Sequence, residues 1–600
     1  MRTVVITLLL SLLTYCSEAP QSTPAPSASN TDDNSAGAQP VSPIPAIPAI
    51  SNAASAWDLG FMAAVANPYA TDAAAEMLAQ GGHAVDAAIA AHAVLGLVEP
   101  ESSGLGGGGF MVVFEQDNKR VRFYDGREAA PAGATADMFM QDGEVMGFLN
   151  AWQSGKAVGV PGAVALYKLA HDNYGKLPWA SLFEPAIELA SEGFVATEKM
   201  AGLLPRIAQV SRLDENPGAA EYFFPDGEAI QPGALVRNPE YAATLQRIVN
   251  EGPEAFYTGE TAEAIVAATQ AEPNAGSLTM EDMASYEAIE REAICGPWRD
   301  LTVCSATPPS SGAMQIMVAN MYDTLVPENP TEFERVKAFV DAQRLAYADR
   351  DYYFGDPDRV DVPLELLLDP AYLQSRGANP IAPGESPTHG DPASVLGGET
   401  AAVFSPDSTQ EPAGTTHFSI VDDAGNAVSI TMTVESAFGS SRWAAGFLLN
   451  NELTDFAREY NPDTPEAANQ VRPGARPRSS MSPSILLDSD NELYMVTGSP
   501  GGNSIPAYTA KTIIGIVDWG MSVQEAVDFP NIIARGDTVR VEIGREPGQA
   551  LADQLREAGY NVQESEGENS GLHVILVHED ELEGAADPRR EGTVLTTAPM

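Results

Sequence analysis

Residues 414–435 constrain the fold of this chain more than any other stretch. Gly414-Thr415-Thr416-His417-Phe418-Ser419 leads through an Asp422-Asp423-Ala424-Gly425-Asn426 turn into a second run that ends Thr431-Met432-Thr433-Val434-Glu435. β-Branched and aromatic residues on both sides of an Asp/Gly/Asn turn predict a hairpin of Thr415–Ile420 with Asn426–Val434. Thr415 is also a candidate nucleophile. A threonine hydroxyl needs a neighbouring base, and an N-terminal threonine carries one in its α-amine, which titrates near ~8. Gly414, with no Cβ, lets the Thr415 hydroxyl approach the preceding carbonyl. The expectation is a self-inflicted cut between Gly414 and Thr415; composition alone supports only a Thr-rich strand, so the other motifs must decide.

The rest of the chain narrows the choice of partners. Against 83 acidic side chains stand 33 Lys and Arg, a net charge of −50, which repels nucleic acid and anionic lipid. Hydrophobic content of 44% suffices for a large core, and no interior apolar run approaches the ~18 residues of a membrane span. At the N-terminus, Arg2 and the apolar Val4–Leu13 read as an export signal over residues 1–16. Leu13-Thr14-Tyr15-Cys16 resembles a bacterial lipoprotein cleavage box, although Tyr15 is larger than that pattern uses. The expectation is a periplasmic protein, with Cys16 as the candidate lipid anchor. Residues 17–58, rich in Ser, Pro and Ala, form a tether unable to bury a core.

Helices are expected at Ala70–Gln80 and Ala84–Leu97, the second nearly all apolar and therefore buried. The glycine run Gly104-Leu105-Gly106-Gly107-Gly108-Gly109 leads into strand Met111–Phe114. It lacks the Gly-Lys-Ser/Thr ending of a phosphate loop and opens no helix, so it suggests close backbone packing near a site. Strand Val121–Tyr124 ends in Asp125-Gly126-Arg127, where an arginine fork could clamp a carboxylate or make a plain surface ion pair. Cys295 and Cys304 flank a candidate hairpin turn at Arg299-Asp300; they are either a cross-strand disulfide or two buried thiols. Residues 375–414 are Gly/Pro/Ser-rich and read as a mobile, exposed segment leading to the cut. Strands return at Thr416–Val421, Ala427–Val434, Phe447–Leu449, Ser484–Leu487 and Leu493–Val496, with a helix at Ala507–Asp518. The intermixing predicts one layered protein of helices and sheets rather than separate lobes.

Over residues 60–595 the chain resembles the γ-glutamyltransferase (γ-glutamyl transpeptidase, glutathione hydrolase) family of N-terminal nucleophile hydrolases. The motifs that carry the resemblance are Glu99-Pro100 through Met111, Asp125–Pro131, Pro308–Gly312, Thr415–Ser419, Gly446–Phe456, Ser479–Pro483, Gly498–Gly502 and Ala586-Asp587-Pro588-Arg589. The resemblance implies an α+β fold, a four-layer αββα sandwich of two autoprocessed subunits, 59–414 and 415–600. It also implies roles. Thr415 would be the nucleophile and Thr433 its supporting hydroxyl, with Gly501 and Gly502 as oxyanion hole. Arg127, Ser479 and Ser480 would bind the donor's α-carboxylate, and Asp455, Glu452 and Glu435 its α-ammonium. Residues 456–476 would correspond to a lid, with Tyr460 as its candidate aromatic, and His417 would be structural. The substrates implied are glutathione, related γ-glutamyl compounds and amino-acid acceptors, with no metal or organic cofactor required. Two alternatives share the sequence: a cephalosporin or glutaryl acylase on the same scaffold, and a non-catalytic exported binding protein.

Overall fold

The computed structural model describes residues 59–398, 403–407 and 409–597. The export signal and tether read from residues 1–58 lie outside the described residues. Two antiparallel sheets organise the rest. In chain order the strands are β1 Met62–Val65, β2 Gly108–Glu115, β3 Arg120–Gly126, β4 Ile289–Glu292, β5 Ile294–Trp298, β6 Leu301–Ser305, β7 Gly414–Val421, β8 Ala427–Glu435, β9 Ser484–Leu487, β10 Leu493–Thr497, β11 His573–Val577, β12 Leu582–Ala586 and β13 Thr593–Thr596. A seven-stranded sheet has the order β13-β1-β7-β8-β2-β3-β4, and a six-stranded one β12-β11-β10-β9-β6-β5. Antiparallel sheets with helices packed on them make this an α+β protein.

Side-chain alternation sorts the strands into separate cores. Ala63, Val65, Met111, Val113, Phe418, Ile420 and Ile430 pack with helices α1 (Pro68–Ala79), α2 (Ala84–Val98) and α3 (Ala163–Tyr174). Met62, Ala64, Phe110, Val112 and Phe114 instead meet Ile485, Leu487, Leu493 and Val496 of the second sheet. Val303, Leu486, Met495 and Val574 pack with α4 (Ala313–Leu325), α5 (Glu332–Tyr353) and α6 (Ile505–Val517).

One strip of the inter-sheet core is polar. Thr415, His417 and Ser419 of β7 and Ser429, Thr431 and Thr433 of β8 are all buried. Each needs a partner there, because an unpaired buried polar group is costly. His417 Nδ1 lies 2.9 Å from Thr431 Oγ1 and its Nε2 3.2 Å from Ser419 Oγ. Ser419 Oγ donates to the His573 carbonyl at 2.9 Å and Ser429 Oγ to that of Thr497, also at 2.9 Å, tying the sheets together. Burial holds the His417 pKa well below its ordinary value, so the ring is neutral and structural in character.

Cys295 and Cys304 stand opposite one another in β5 and β6 and are joined as a disulfide. The two-residue turn is the expected Arg299-Asp300, with Arg299 at φ +56°. One helix runs slightly differently from expectation: that expected over Ala507–Asp518 spans Ile505–Val517. The larger correction concerns residues 375–414. This segment contains a short helix, Pro392–Val395, and its end is not exposed: Glu411 is buried in ion pairs and Gly414 already belongs to β7. Among the described residues no helix is long and apolar enough to cross a membrane.

Candidate active site

The hairpin pairing is regular from Val421 opposite Ala427 back to Thr415 opposite Thr433, then shifts so that Gly414 lies opposite Glu435. Such an irregularity re-aims side chains at the end of a strand. Glu435 takes φ +78°, a conformation that costs a non-glycine residue about 1–3 kcal/mol and persists only where the surroundings enforce it. At this step Thr433 Oγ1 lies 3.2 Å from Thr415 Oγ1, donates to the Gly414 carbonyl at 2.9 Å, and accepts from the Glu435 amide at 2.8 Å. One hydroxyl thus bridges the candidate nucleophile and the carbonyl before it. No side chain fits at 414, where a Cβ would come within 2.4 Å of the Glu435 carbonyl oxygen and 2.7 Å of the Ala437 nitrogen. The glycine run that leads into β2 answers the same crowding: a Cβ on Gly107 would stand 1.9 Å from the Thr433 carbonyl oxygen.

Thr415 and Thr433 line a cavity with Arg127, Glu435, Glu452, Asp455, Ser479, Ser480 and Gly502. Of the catalytic and donor-binding residues named from the sequence, Gly501 alone is not in its wall; it adjoins Gly502, and the two have φ +133° and +56°. Glu411 and Pro412 also line the cavity, which leaves about 10 Å³ free, room for a single water. A Cβ on Gly502 would lie 2.2 Å from the Glu411 carbonyl oxygen, so the segment before the cut rests directly on that glycine.

The electrostatics are lopsided. Arg127 is 1% exposed; its Nη2 donates to Asp455 Oδ2 at 2.7 Å, its Nη1 to Glu452, and its Nε to the Pro477 carbonyl at 3.1 Å. Burial would lower its pKa, but Glu452, Asp455 and Glu128 outweigh that and keep it charged. One guanidinium therefore faces Glu128, Glu452 and Asp455, with Glu435 close behind Asp455. Burial pushes the carboxyls of Glu435, Glu452 and Asp455 well above their ordinary range, with neighbouring carboxylates adding to the effect. Glu128 is pushed up to about 7, again mainly by burial. Of these four buried acids three share Arg127, and Arg458 acts on two, Glu435 and Asp455, so the acids outnumber the arginines at the site.

Several contributors escaped the sequence reading. Arg590 Nη1 donates to the Thr415 carbonyl at 2.7 Å, fixing the residue whose α-amine is in question. The Glu411 carboxylate accepts from Arg350 and from the Ser480 amide. In residues 456–476, Tyr460 is half-buried but outside the cavity wall. In the same stretch Arg458 interacts with acids of the site: burial lowers its pKa, and Glu435, Asp407 and Asp455 raise it. Only the Ala586–Arg589 motif pointed near Arg590; nothing local marks the other two.

The chain is similar to known proteins over most of its length. The γ-glutamyltranspeptidase family profile matches residues 70–597. A glutathione hydrolase proenzyme of Escherichia coli K12 is 35% identical over 542 residues, 88% of this chain and 90% of that protein. An acylase ACY 1 proenzyme of Pseudomonas sp. V22 is 32% identical, covering 88% of this chain and 92% of its own. The crystal structure of a cephalosporin acylase from Bacillus halodurans superposes with a TM-score of 0.77 at 24% identity, covering 92% and 98% of the two chains; that likeness carries the fold alone. By the extent of the profile match and the identity to its relatives, the chain belongs to the γ-glutamyltranspeptidase family.

Proposed function

We propose that this protein is a γ-glutamyl hydrolase and transpeptidase, acting on glutathione and related compounds, that matures by cutting itself before Thr415. The observation that carries the substrate class is the charge deficit beside Arg127. A γ-glutamyl head group brings one carboxylate and one ammonium on the same carbon. Its ammonium would meet Asp455, Glu452 and Glu435 and let them ionise, whereas a glutaryl group brings no positive charge to the acids that outnumber Arg127 there.

In maturation, Thr415 Oγ attacks the Gly414 carbonyl carbon and the acyl group moves from nitrogen to oxygen. Thr433 stabilises the developing oxyanion through the hydrogen bond it already makes to that carbonyl. Water then hydrolyses the ester, leaving subunits 59–414 and 415–600, arranged as a four-layer αββα sandwich. In turnover the freed α-amine accepts the hydroxyl proton as Oγ attacks the donor's γ-carbonyl. The amides of Gly501 and Gly502 receive the oxyanion; its collapse breaks the γ-amide bond, the leaving amine takes the proton held by the Thr415 α-amine, and a γ-glutamyl ester on Thr415 remains. Water or an amino acid resolves it. Arg127, Ser479 and Ser480 hold the donor's α-carboxylate. Export to the periplasm, with Cys16 lipidated, belongs to the same proposal; it rests on the sequence of residues 1–16 and is in keeping with a disulfide at Cys295–Cys304.

The identity to an acylase favours a second reading, glutaryl or cephalosporin deacylation through the same Thr415. Turnover of γ-glutamyl and glutaryl p-nitroanilides by the purified protein separates the two. A higher kcat/KM for the γ-glutamyl donor supports the proposal; a preference for glutaryl overturns it in favour of the acylase.

A further inference from the structure

Arg350 lies on α5 with its guanidinium fully buried. Its Nε donates to Ser311 Oγ at 2.9 Å and its Nη1 to Asp351 Oδ1 at 3.0 Å, so two side chains lock the orientation of the group. The remaining nitrogen, Nη2, donates to Glu411 Oε1 at 2.6 Å and to Ser480 Oγ at 2.8 Å. The Ser480 amide donates to the other oxygen, Glu411 Oε2, at 2.8 Å. Both oxygens of one carboxylate are therefore held, one by an arginine and one by a backbone amide. Glu411 lines the same cavity as Thr415 and Asp455.

Glu411 belongs to the segment that ends at Gly414. While the chain is whole, β7 holds that segment in register. A cut after Gly414 makes it a free chain end, and the carboxylate loses the tether that kept it in place. What stays behind is a rigid arginine and an amide, aimed at a carboxylate position beside the candidate ammonium site. The two charges of a γ-glutamyl head group sit on one carbon, so their sites must be neighbours. Here they are: the Glu411 charge is among the causes that push the Asp455 carboxyl up, after burial.

We infer that Arg350 is a donor-binding residue: with the Ser480 amide it forms a carboxylate seat that Glu411 fills in the uncut chain and the donor's α-carboxylate fills after the cut. It adds a second arginine to the one at 127, which is already committed to Glu452 and Asp455. The inference rests on the γ-glutamyl reading for the identity of the donor, but the seat itself requires only a carboxylate. Glu411 is then a built-in occupant that keeps the uncut protein from binding donor.

The test is calorimetry on the full-length protein after it has cut itself, wild type and Arg350→Lys, with L-glutamate, glutarate and 4-aminobutanoate. Glutamate and 4-aminobutanoate differ only in the α-carboxylate, and lysine keeps the charge but loses the fork. Loss of a charged hydrogen bond predicts at least about tenfold weaker binding of glutamate and glutarate in the variant, with 4-aminobutanoate within about twofold of wild type. Equal weakening of all three, or of none, overturns the inference. If wild type prefers glutarate to glutamate, the γ-glutamyl reading has failed, while weakening of glutarate in the variant still establishes the seat. Glu411→Ala is the companion variant and leaves Arg350 intact. Its self-cleavage should slow, and added acetate should restore part of the rate by filling the seat. Cleavage at the wild-type rate, or slow cleavage that acetate does not raise, contradicts the role given to Glu411.

Discussion

Thr433 Oγ1 stands 3.2 Å from Thr415 Oγ1 while donating to the carbonyl of Gly414. A hydroxyl has one proton and two lone pairs. Because the proton goes to the carbonyl and the Glu435 amide takes one lone pair, the other is left for the Thr415 hydroxyl. The proposed nucleophile and the carbonyl it would attack are thus oriented by the same atom.

Replacing that atom without changing the volume of the side chain tests its part in maturation. Thr433→Val should fold, since the site is a strand position in a packed sheet. It should lose about 10²–10³ in the rate of self-cleavage, the usual cost of one oxyanion donor. Thr433→Ser should stay close to wild type. The check is a time course on a denaturing gel.

Gly414→Ala addresses the space rather than the chemistry. The added methyl would meet backbone atoms of Glu435, Ser436 and Ala437, none of which can turn aside as a side-chain end would. The chain should be destabilised by about 1–3 kcal/mol, as overpacked sites are. The cut should be slowed because Thr415 moves relative to the carbonyl it attacks. Thermal melting and the same gel assay measure both.

The charge deficit makes a prediction about donor choice. Asp455→Asn keeps the shape and the Arg127 contact but removes a charge. It should reduce kcat/KM for a γ-glutamyl anilide by about 10–150-fold, equivalent to the about 1.5–3 kcal/mol of a charged hydrogen bond. A glutaryl anilide should suffer less, so the ratio of the two donors shifts. An unchanged ratio would remove Asp455 from ammonium recognition.

A pH dependence follows from Glu101. Burial, with Glu99 adding and Lys199 at 3.2 Å opposing, pushes this carboxyl from its ordinary 4.5 up to about 7. A folded-state pKa above the unfolded one means that the folded protein binds the proton more tightly. The group therefore stabilises below about pH 4.5 and loses that contribution as pH rises through about 7. Uncut Thr415→Ala protein should lose melting temperature between about pH 5 and about pH 8, and Glu101→Gln should narrow that loss. Equal losses would show that Glu101 does not carry the effect.

How far the chain could be read in advance depended on whether a feature is local. The β7–β8 hairpin was legible because Phe418, Ile420 and Ile430 alternate with the hydroxyls that line its other face. The cavity residues were legible because they sit in short motifs, from Arg127 to Gly502. The end of the 375–414 segment was misread as loose, since its Gly, Pro and Ser content reports only local backbone preference. What holds it is the long-range pair of Glu411 with Arg350, which leaves no periodic trace. The positive φ of Glu435 and the reach of Arg590 to Thr415 are hidden for the same reason: both are imposed by packing between segments far apart in sequence.

The central claim is that Thr415 becomes an N-terminus, and intact-mass analysis of the purified full-length protein with N-terminal sequencing tests it most directly. The account predicts two fragments, the smaller spanning residues 415–600 and beginning Thr-Thr-His-Phe, with Thr415→Ala remaining a single chain. A wild-type protein that stays whole under conditions where it is folded, or a small fragment that begins at any other residue, would contradict it.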